Sequence, residues 1–152
     1  MNYLKPINIL LVDDDDDDLL LAQRALDKSE LPHKAYTVHN GVELLEYLRR
    51  EKDYSETTAP VPDLILLDLN MPKKNGVEAL ADIRADAALR HIPVVLFTTS
   101  GAQQDILTCY QLGANSYIKK PISFDGLVEV MGSLKDYWVR HVALPPHRLA
   151  SN

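Results

Sequence analysis

Short apolar runs separated by segments with helical spacing constrain this chain more than any other feature. The strongest runs are nearly continuous in Ile, Leu and Val, which is typical of strands buried on both faces. A weaker run, residues 34–39, alternates apolar and polar side chains. The remaining runs are residues 7–12, 63–69, 93–98 and 116–120.

A helical pattern follows each run. Asn40 with Glu43 three residues later is a good helix start, and Gly113 a good helix stop. The last helix begins near Ser123 and extends to about His141. Strict alternation of strand and helix predicts a doubly wound parallel sheet with helices on both faces and right-handed crossovers. For five strands we expect the flavodoxin-like α/β order 2-1-3-4-5.

The length of 152 residues suits one domain with a sizeable core. We expect a single domain over residues 1–144, with an extended C-terminal helix, followed by a flexible tail over residues 145–152. Pro145 and Pro146 prevent a helix in that tail. Residues 51–62 are polar and end in prolines, which predicts a long surface loop before the third strand.

Composition excludes several functional classes. The net charge of −6 argues against a nucleic-acid surface. No apolar run approaches the ~20 residues of a membrane span, and the N-terminus lacks a signal peptide. The one cysteine, Cys109, excludes an internal disulfide and is compatible with a reducing compartment. We therefore expect a cytoplasmic protein that binds neither nucleic acid nor membrane.

Six consecutive aspartates, Asp13–Asp18, directly follow the first apolar run. Because like charges repel at short range, such a run either lies in a solvated loop or holds a cation. Ligands of open α/β sheets bind beyond the carboxyl ends of the strands, where Asp68, Thr98 and one of Lys119 or Lys120 also lie. We expect these side chains to converge with the first aspartates at one edge of the sheet.

Converging carboxylates raise one another's pKa unless a cation lies among them. Hard oxygen ligands partly open to water suit Mg²⁺, and a hydroxyl and an ammonium group suit a phosphoryl group. The predicted chemistry is phosphoryl transfer, in which an aspartate itself can be the nucleophile. A calcium loop does not fit, because Leu21 stands where the sharp turn requires glycine.

Four motifs carry a family resemblance: LLVDD, DLILLDLNMP with Gly76 shortly after it, PVVLFTTS and YIKKP. Their order and spacing resemble the receiver domain of two-component response regulators, from residue 7 to about residue 138. NMPKKNG, FTTS and the long loop before the third strand resemble the small stand-alone regulators that partner bacterial and cyanobacterial phytochromes. The resemblance implies a signalling protein rather than an enzyme with a separate substrate.

The resemblance also implies roles for the acidic residues. Asp68 is the expected phosphoacceptor for a sensor histidine kinase, with a phytochrome as the candidate kinase and Mg²⁺ as the cofactor. The implied direct ligands are Asp14, Asp68 and the backbone carbonyl of Asn70, and Asp13 acts through water. Asp15 and Asp16 are expected to begin the first helix, where the helix dipole favours negative charge.

Other roles implied by the resemblance fall on the later strands. Thr98 donates its hydroxyl to the phosphoryl group, Lys120 pairs with it, and Tyr117 changes rotamer on phosphorylation. Lys120 is preferred over Lys119 because it precedes Pro121, a bond that is typically cis in that family.

Two positions beside the expected phosphoacceptor, Asn70 and Ser100, are expected to tune how fast the phosphoryl group is lost. Thr99 departs from the family, which commonly has a smaller residue at that position. Two alternatives remain: a receiver-like adaptor that does not depend on phosphorylation, and a hydrolase using Asp68. The hydrolase usually needs a second acid two residues later, where this chain has Asn70.

The fifth helix has a wider apolar arc than one sheet face can cover. One stripe, including Phe124, Met131 and Leu134, is expected to face the core. We predict that the remaining apolar surface forms part of a homodimer interface, and the alternative is that the helix end packs back on its own domain. The interface candidates are Val130, Tyr137, Trp138, His141 and Leu144.

Overall fold

The computed structural model describes residues 4–146, and in this range five strands alternate with five α-helices. The strands are β1 (Ile7–Val12), β2 (His33–Val38), β3 (Leu64–Leu67), β4 (Val94–Thr98) and β5 (Ser116–Lys119). The helices are α1 (Asp16–Asp27), α2 (Gly41–Arg49), α3 (Gly76–Ala85), α4 (Gln103–Gln111) and α5 (Phe124–Lys135). A π-helical segment, Asp136–His141, extends α5.

All strand pairs are parallel, and the sheet has the order β2-β1-β3-β4-β5. This confirms the predicted flavodoxin-like fold. Alternate residues of the central strands feed two separate cores, since successive side chains of a strand point to opposite faces. Leu10 and Ile65 pack beneath α2, α3 and α4, whereas Leu11 and Leu66 pack beneath α1 and α5.

Side-chain caps fix where the helices begin at the functional edge. The Asp15 carboxylate accepts hydrogen bonds from the backbone amides of Asp17 and Asp18, so α1 begins immediately after β1. Asn40 caps α2 in the same way. Such caps stabilise a helix start by about 1 kcal/mol each, and the acidic first turn adds a favourable interaction with the helix dipole.

Lys135 ties α5 to the C-terminal end of α1. Its side chain is fully buried, and its Nζ donates to the carbonyl oxygens of Leu26 at 2.8 Å and Ser29 at 3.0 Å. Burial lowers the pKa of this ammonium group. Two carbonyls near the end of α1 therefore gain a cationic partner. Positive charge is favourable at the C-terminus of a helix, where the helix dipole is negative.

The helix end packs on its own domain. Trp138 is buried, and Val139, Val142 and Leu144 are half-buried against the core that α1 and α5 share. This supports the alternative that the sequence left open, although Tyr137 remains 56% exposed. The predicted tail falls largely on residues 147–152, which lie outside the described residues.

Phe124 departs from the prediction that it faces the core, since it is 37% exposed. It is the first residue of α5 and precedes the turns that carry the buried Met131 and Leu134. The predicted surface loop over residues 51–62 is anchored, because the Tyr47 hydroxyl donates to the Pro60 carbonyl at 2.9 Å. Within residues 4–146, no helix is long and apolar enough to cross a membrane.

Candidate functional site

Three carboxylates meet at the carboxyl ends of β1 and β3. Asp13 and Asp14 follow β1, Asp68 follows β3, and these two strands are direct neighbours. One carboxylate oxygen from each of the three residues lies within 4.8 Å of the others. Asp13 and Asp68 are buried and Asp14 is exposed. The cluster is thus held by the fold yet open to solvent on one side, as hard-cation sites in proteins commonly are.

Lys120 enters this cluster from the end of β5. Its Nζ lies 2.5 Å from an oxygen of Asp13 and 3.4 Å from oxygens of Asp68 and Asp18. Burial lowers the pKa of Lys120, but the hydrogen bond with Asp13 and the charges of Asp68, Asp13 and Asp18 outweigh this effect and raise it. The ammonium group is therefore charged at neutral pH.

Asp13 has the opposite balance. Burial raises the pKa of its carboxyl group, although the hydrogen bonds from Lys120 and from the Asp15 amide act to lower it. The nearby charge of Asp68 adds to the rise. Without a metal, the ionised form of the Asp13 carboxyl group is therefore disfavoured relative to the protonated form. A bound divalent cation would stabilise the ionised form.

The backbone around Asp68 is tightly fixed. The Leu69 amide donates to the Asp68 carboxylate at 2.8 Å, and the Gly76 amide donates to the Leu69 carbonyl at 2.9 Å. A Cβ atom on residue 76 would overlap the carbonyl oxygen of Asp68. Glycine at this position is therefore required for the close approach of α3 to the strand end.

Thr98 and Tyr117 lie on the neighbouring strands. Thr98 ends β4 and is fully buried, and its hydroxyl accepts a hydrogen bond from the Ser100 amide at 3.4 Å. The Tyr117 hydroxyl donates to the Ser100 carbonyl at 2.9 Å, and burial raises its pKa. Ser100 therefore links the end of β4 to the aromatic ring on β5. Asn70 and Thr99 are both exposed.

The expectation of a cis bond before Pro121 was wrong, because every peptide bond within residues 4–146 is trans. An Xaa–Pro bond prefers trans by about 0.5–1 kcal/mol, and Lys120 reaches the carboxylates with the bond in that form. The choice of Lys120 over Lys119 rests on these contacts instead, since Lys119 is exposed.

Sequence reasoning missed two contacts of the aspartate run. One of them joins an oxygen of Asp18 to Lys120. The other involves His39, whose imidazole lies 2.8 Å from Asp16 and 3.2 Å from Glu43. The hydrogen bond with Asp16 raises the pKa of His39. Asp14 precedes α1 and Asp18 lies in its first turn, so helical spacing does not relate the two residues, and the sequence carried no signal for either contact.

Comparison with known proteins decides the family. The model of the response regulator receiver domain matches residues 9–131. This chain belongs to the response regulator receiver family. Response regulator Rcp1 of Synechocystis sp. is 36% identical to it over 137 residues, which cover 90% of this chain and 92% of Rcp1. Receiver proteins of this kind are signalling proteins, and the resemblance stated from the four motifs is confirmed.

Solved structures agree with this assignment. The phosphorylated cyanobacterial phytochrome response regulator RcpA is 42% identical, with a TM-score of 0.86, and the match covers 93% of this chain and 100% of RcpA. The Mn(2+)-bound form of Rcp1 is 36% identical, with a TM-score of 0.84, and the match covers 93% of this chain and 100% of that one. This receiver is therefore similar over nearly its whole length to phytochrome-associated regulators.

Proposed function

We propose that Asp68 accepts a phosphoryl group from a phosphohistidine of a sensor kinase, and that phosphorylation changes which partners the receiver binds. An oxygen of the Asp68 carboxylate bonds to phosphorus as the P–N bond breaks, and the imidazole keeps the electron pair. The observation that carries the proposal is the convergence of Asp13, Asp14 and Asp68, two of which, Asp13 and Asp68, also contact Lys120. Phosphoryl transfer depends mainly on positioning and charge neutralisation, for which this arrangement is suited.

Mg²⁺ fits the donor set, because it prefers hard oxygen ligands and retains several waters. Asp14 and Asp68 would ligate it directly together with the backbone carbonyl of Asn70, and Asp13 would act through water. When bound, the ion supplies charge neutralisation at the phosphoryl oxygens. The existence of a Mn(2+)-bound form of Rcp1 supports a divalent cation at the acidic cluster.

The switch residues respond to the phosphoryl group. Thr98 donates its hydroxyl to a phosphoryl oxygen, and Lys120 pairs with another as a compact point charge. Tyr117 changes rotamer, and its hydroxyl then breaks the hydrogen bond that it donates to the Ser100 carbonyl. Contacts made only with the phosphorylated form shift the population between two packings of this face. Asn70 and Ser100 tune the loss of the phosphoryl group.

The sensor kinase is of the phytochrome type, and the receiver acts in the cytoplasm. The similarity to the phytochrome response regulator RcpA over 93% of this chain supports the kinase class. The net charge of −6 and the buried state of Cys109 are compatible with a cytoplasmic protein that does not bind nucleic acid.

Labelling tests the phosphoacceptor. Asp68→Asn is expected to abolish Mg²⁺-dependent labelling by a phytochrome-type kinase and by acetyl phosphate, because an amide is not a nucleophile in this transfer. Asp53→Asn removes an exposed carboxylate in the loop before β3 and serves as the matched control. Undiminished labelling of Asp68→Asn would exclude Asp68. Partner binding that ignores phosphorylation would favour the adaptor alternative instead.

The homodimer that we propose uses only the surface of α5 and its π-helical extension that packing of the helix end on its own domain leaves exposed. Tyr137 and His141 are exposed, and Tyr137 borders a surface groove that includes Ile118, Val130 and Trp138. Leu144 is half-buried against its own domain, so its contribution is packing rather than contact with a second copy. Tyr137→Glu is expected to shift the sedimenting species to monomer. An unchanged sedimentation coefficient would reject this interface.

A further inference from the structure

Asp18 contacts the candidate site without belonging to its carboxylate cluster. Its Oδ2 lies 3.4 Å from the Lys120 Nζ, and its side chain is 45% exposed. Within residues 4–146, the carboxylates close enough to share a cation are Asp13, Asp14 and Asp68. The proposed phosphorylation mechanism therefore leaves a charged contact of Lys120 unexplained.

The helix fixes the position of Asp18. The backbone amide of Asp18 donates to the Asp15 carboxylate at 3.2 Å, so Asp18 stands in the first turn of α1. The backbone of Lys120 is also fixed, because its amide donates to the Thr98 carbonyl at 2.7 Å. The contact between Asp18 and Lys120 thus joins two rigid elements, and only the side chains need to move for it to change.

Lys120 has three carboxylate neighbours with different duties. It lies 2.5 Å from Asp13 and 3.4 Å from Asp68, and both of these residues belong to the cluster that suits a divalent cation. An ammonium group and a divalent cation repel each other, so they compete for Asp13 and Asp68. Asp18 lies outside that competition and already contacts the ammonium group.

We propose that Asp18 is the resting partner of Lys120. Asp18 holds the ammonium group when Asp13 and Asp68 are engaged by a cation, and it releases that group when a phosphoryl group is present on Asp68. The release step rests on the proposed phosphoacceptor function. Asp18 is a positioning residue in this scheme, because it acts on the phosphoryl group only through Lys120.

Loss of the Asp18 carboxylate is expected to change the affinities for Mg²⁺ and for a phosphoryl mimic in opposite directions. In Asp18→Asn, Lys120 has nowhere to withdraw when the cation binds, so Mg²⁺ binding is expected to weaken about two- to fivefold, the range typical of half-exposed charge pairs. Binding of beryllofluoride, a non-covalent phosphoryl mimic, at saturating Mg²⁺ is expected to tighten about two- to fivefold, because Lys120 no longer leaves a partner. General damage to the site would weaken both.

Asp17→Asn is the matched control. Asp17 carries the same charge one residue away, and it is exposed. Its substitution reproduces the long-range loss of one negative charge without touching Lys120. Asp18→Glu, which keeps the carboxylate, is expected to restore both affinities toward those of the wild type.

The test is titration calorimetry with Mg²⁺ alone, followed by ¹⁹F NMR titration of beryllofluoride at saturating Mg²⁺, on the full chain. The expected result is weaker Mg²⁺ and tighter beryllofluoride binding in Asp18→Asn than in Asp17→Asn. Equal effects of the two variants, or weakening of both ligands in Asp18→Asn, would overturn the proposal. A wild type that binds Mg²⁺ but not beryllofluoride would overturn the phosphoacceptor function and the release step, and the Mg²⁺ titration would still decide the resting contact.

Discussion

The substitution Lys120→Met tests the electrostatic role of Lys120. Over residues 4–146, its ammonium group is the one that lies among the carboxylates of the site. Methionine keeps most of the apolar stem and removes the charge. In the wild type the Lys120 side chain is 12% exposed, and its carboxylate partners Asp13 and Asp68 are 9% and 11% exposed. Because these groups are largely shielded from water, the attraction between them contributes to stability. Because they are not fully buried, water still weakens that attraction.

The expected loss of stability in Lys120→Met can be calculated from the distances between the charged atoms. At 3.4 Å from Asp68, an effective dielectric of about 20 gives an attraction of about 5 kcal/mol. The shorter contact with Asp13 is at least as favourable. The variant no longer has the cost of removing the ammonium group from water, and this offsets several kcal/mol of the lost attraction. The expected net loss of unfolding free energy without metal is therefore about 2–4 kcal/mol, which overlaps the lower part of the range of about 3–5 kcal/mol for breaking a fully buried pair.

Mg²⁺ should reverse much of this loss. The cation takes over the neutralisation of Asp13 and Asp68, and in Lys120→Met no ammonium group competes for them. Binding only to the folded state stabilises it by about 2.7 kcal/mol at a hundredfold excess over Kd, and a tighter Kd increases that gain. The variant is thus expected to gain more stability from Mg²⁺ than the wild type does.

The assay is urea unfolding followed by far-ultraviolet circular dichroism, in EDTA and in excess Mg²⁺. Lys119→Met is the control, since Lys119 is adjacent and exposed, and its effect is expected to stay within about 0.5 kcal/mol. If Lys120→Met matched the wild type in EDTA, the electrostatic reasoning would be refuted. Equal stabilisation of both proteins by Mg²⁺ would refute it as well.

Three further predictions address the supports of the site. Gly76→Ala should destabilise the fold by about 1–3 kcal/mol, because its methyl group would overlap the Asp68 carbonyl oxygen; a gain in urea midpoint, the usual result of Gly→Ala in a helix, would contradict this. Lys135→Met should lower the unfolding free energy by about 1–3 kcal/mol, since two carbonyls lose a buried donor; an unchanged urea midpoint would count against that role. Burial raises the folded-state pKa of Asp13 above its ordinary 3.8. The metal-free wild type should therefore gain stability as the pH falls through the folded pKa toward 3.8, relative to Asp13→Asn. Parallel curves of stability against pH for the two proteins would show that Asp13 does not titrate in this way.

Much of the fold was predictable because burial leaves a local trace in the sequence. Strands covered on both faces must be apolar at nearly every position, as Leu64–Leu67 is, and alternation with helices leaves few topologies. The meeting of Asp13, Asp14 and Asp68 was predictable for a related reason. In a parallel sheet the carboxyl ends of the strands share one edge, so residues that end neighbouring strands must be close.

Contacts between separate elements were decided only by the tertiary structure. Asp18 and Lys120 are 102 positions apart, and Lys135 and Leu26 are 109 apart. The sequence showed an acidic turn and two charged lysines, but it contained no information on how α1 packs against β5 and α5. Side-chain periodicity indicates which face of an element is covered. Electrostatic interactions depend on distances of a few ångströms between elements, and these distances are fixed only when the helices dock on the sheet.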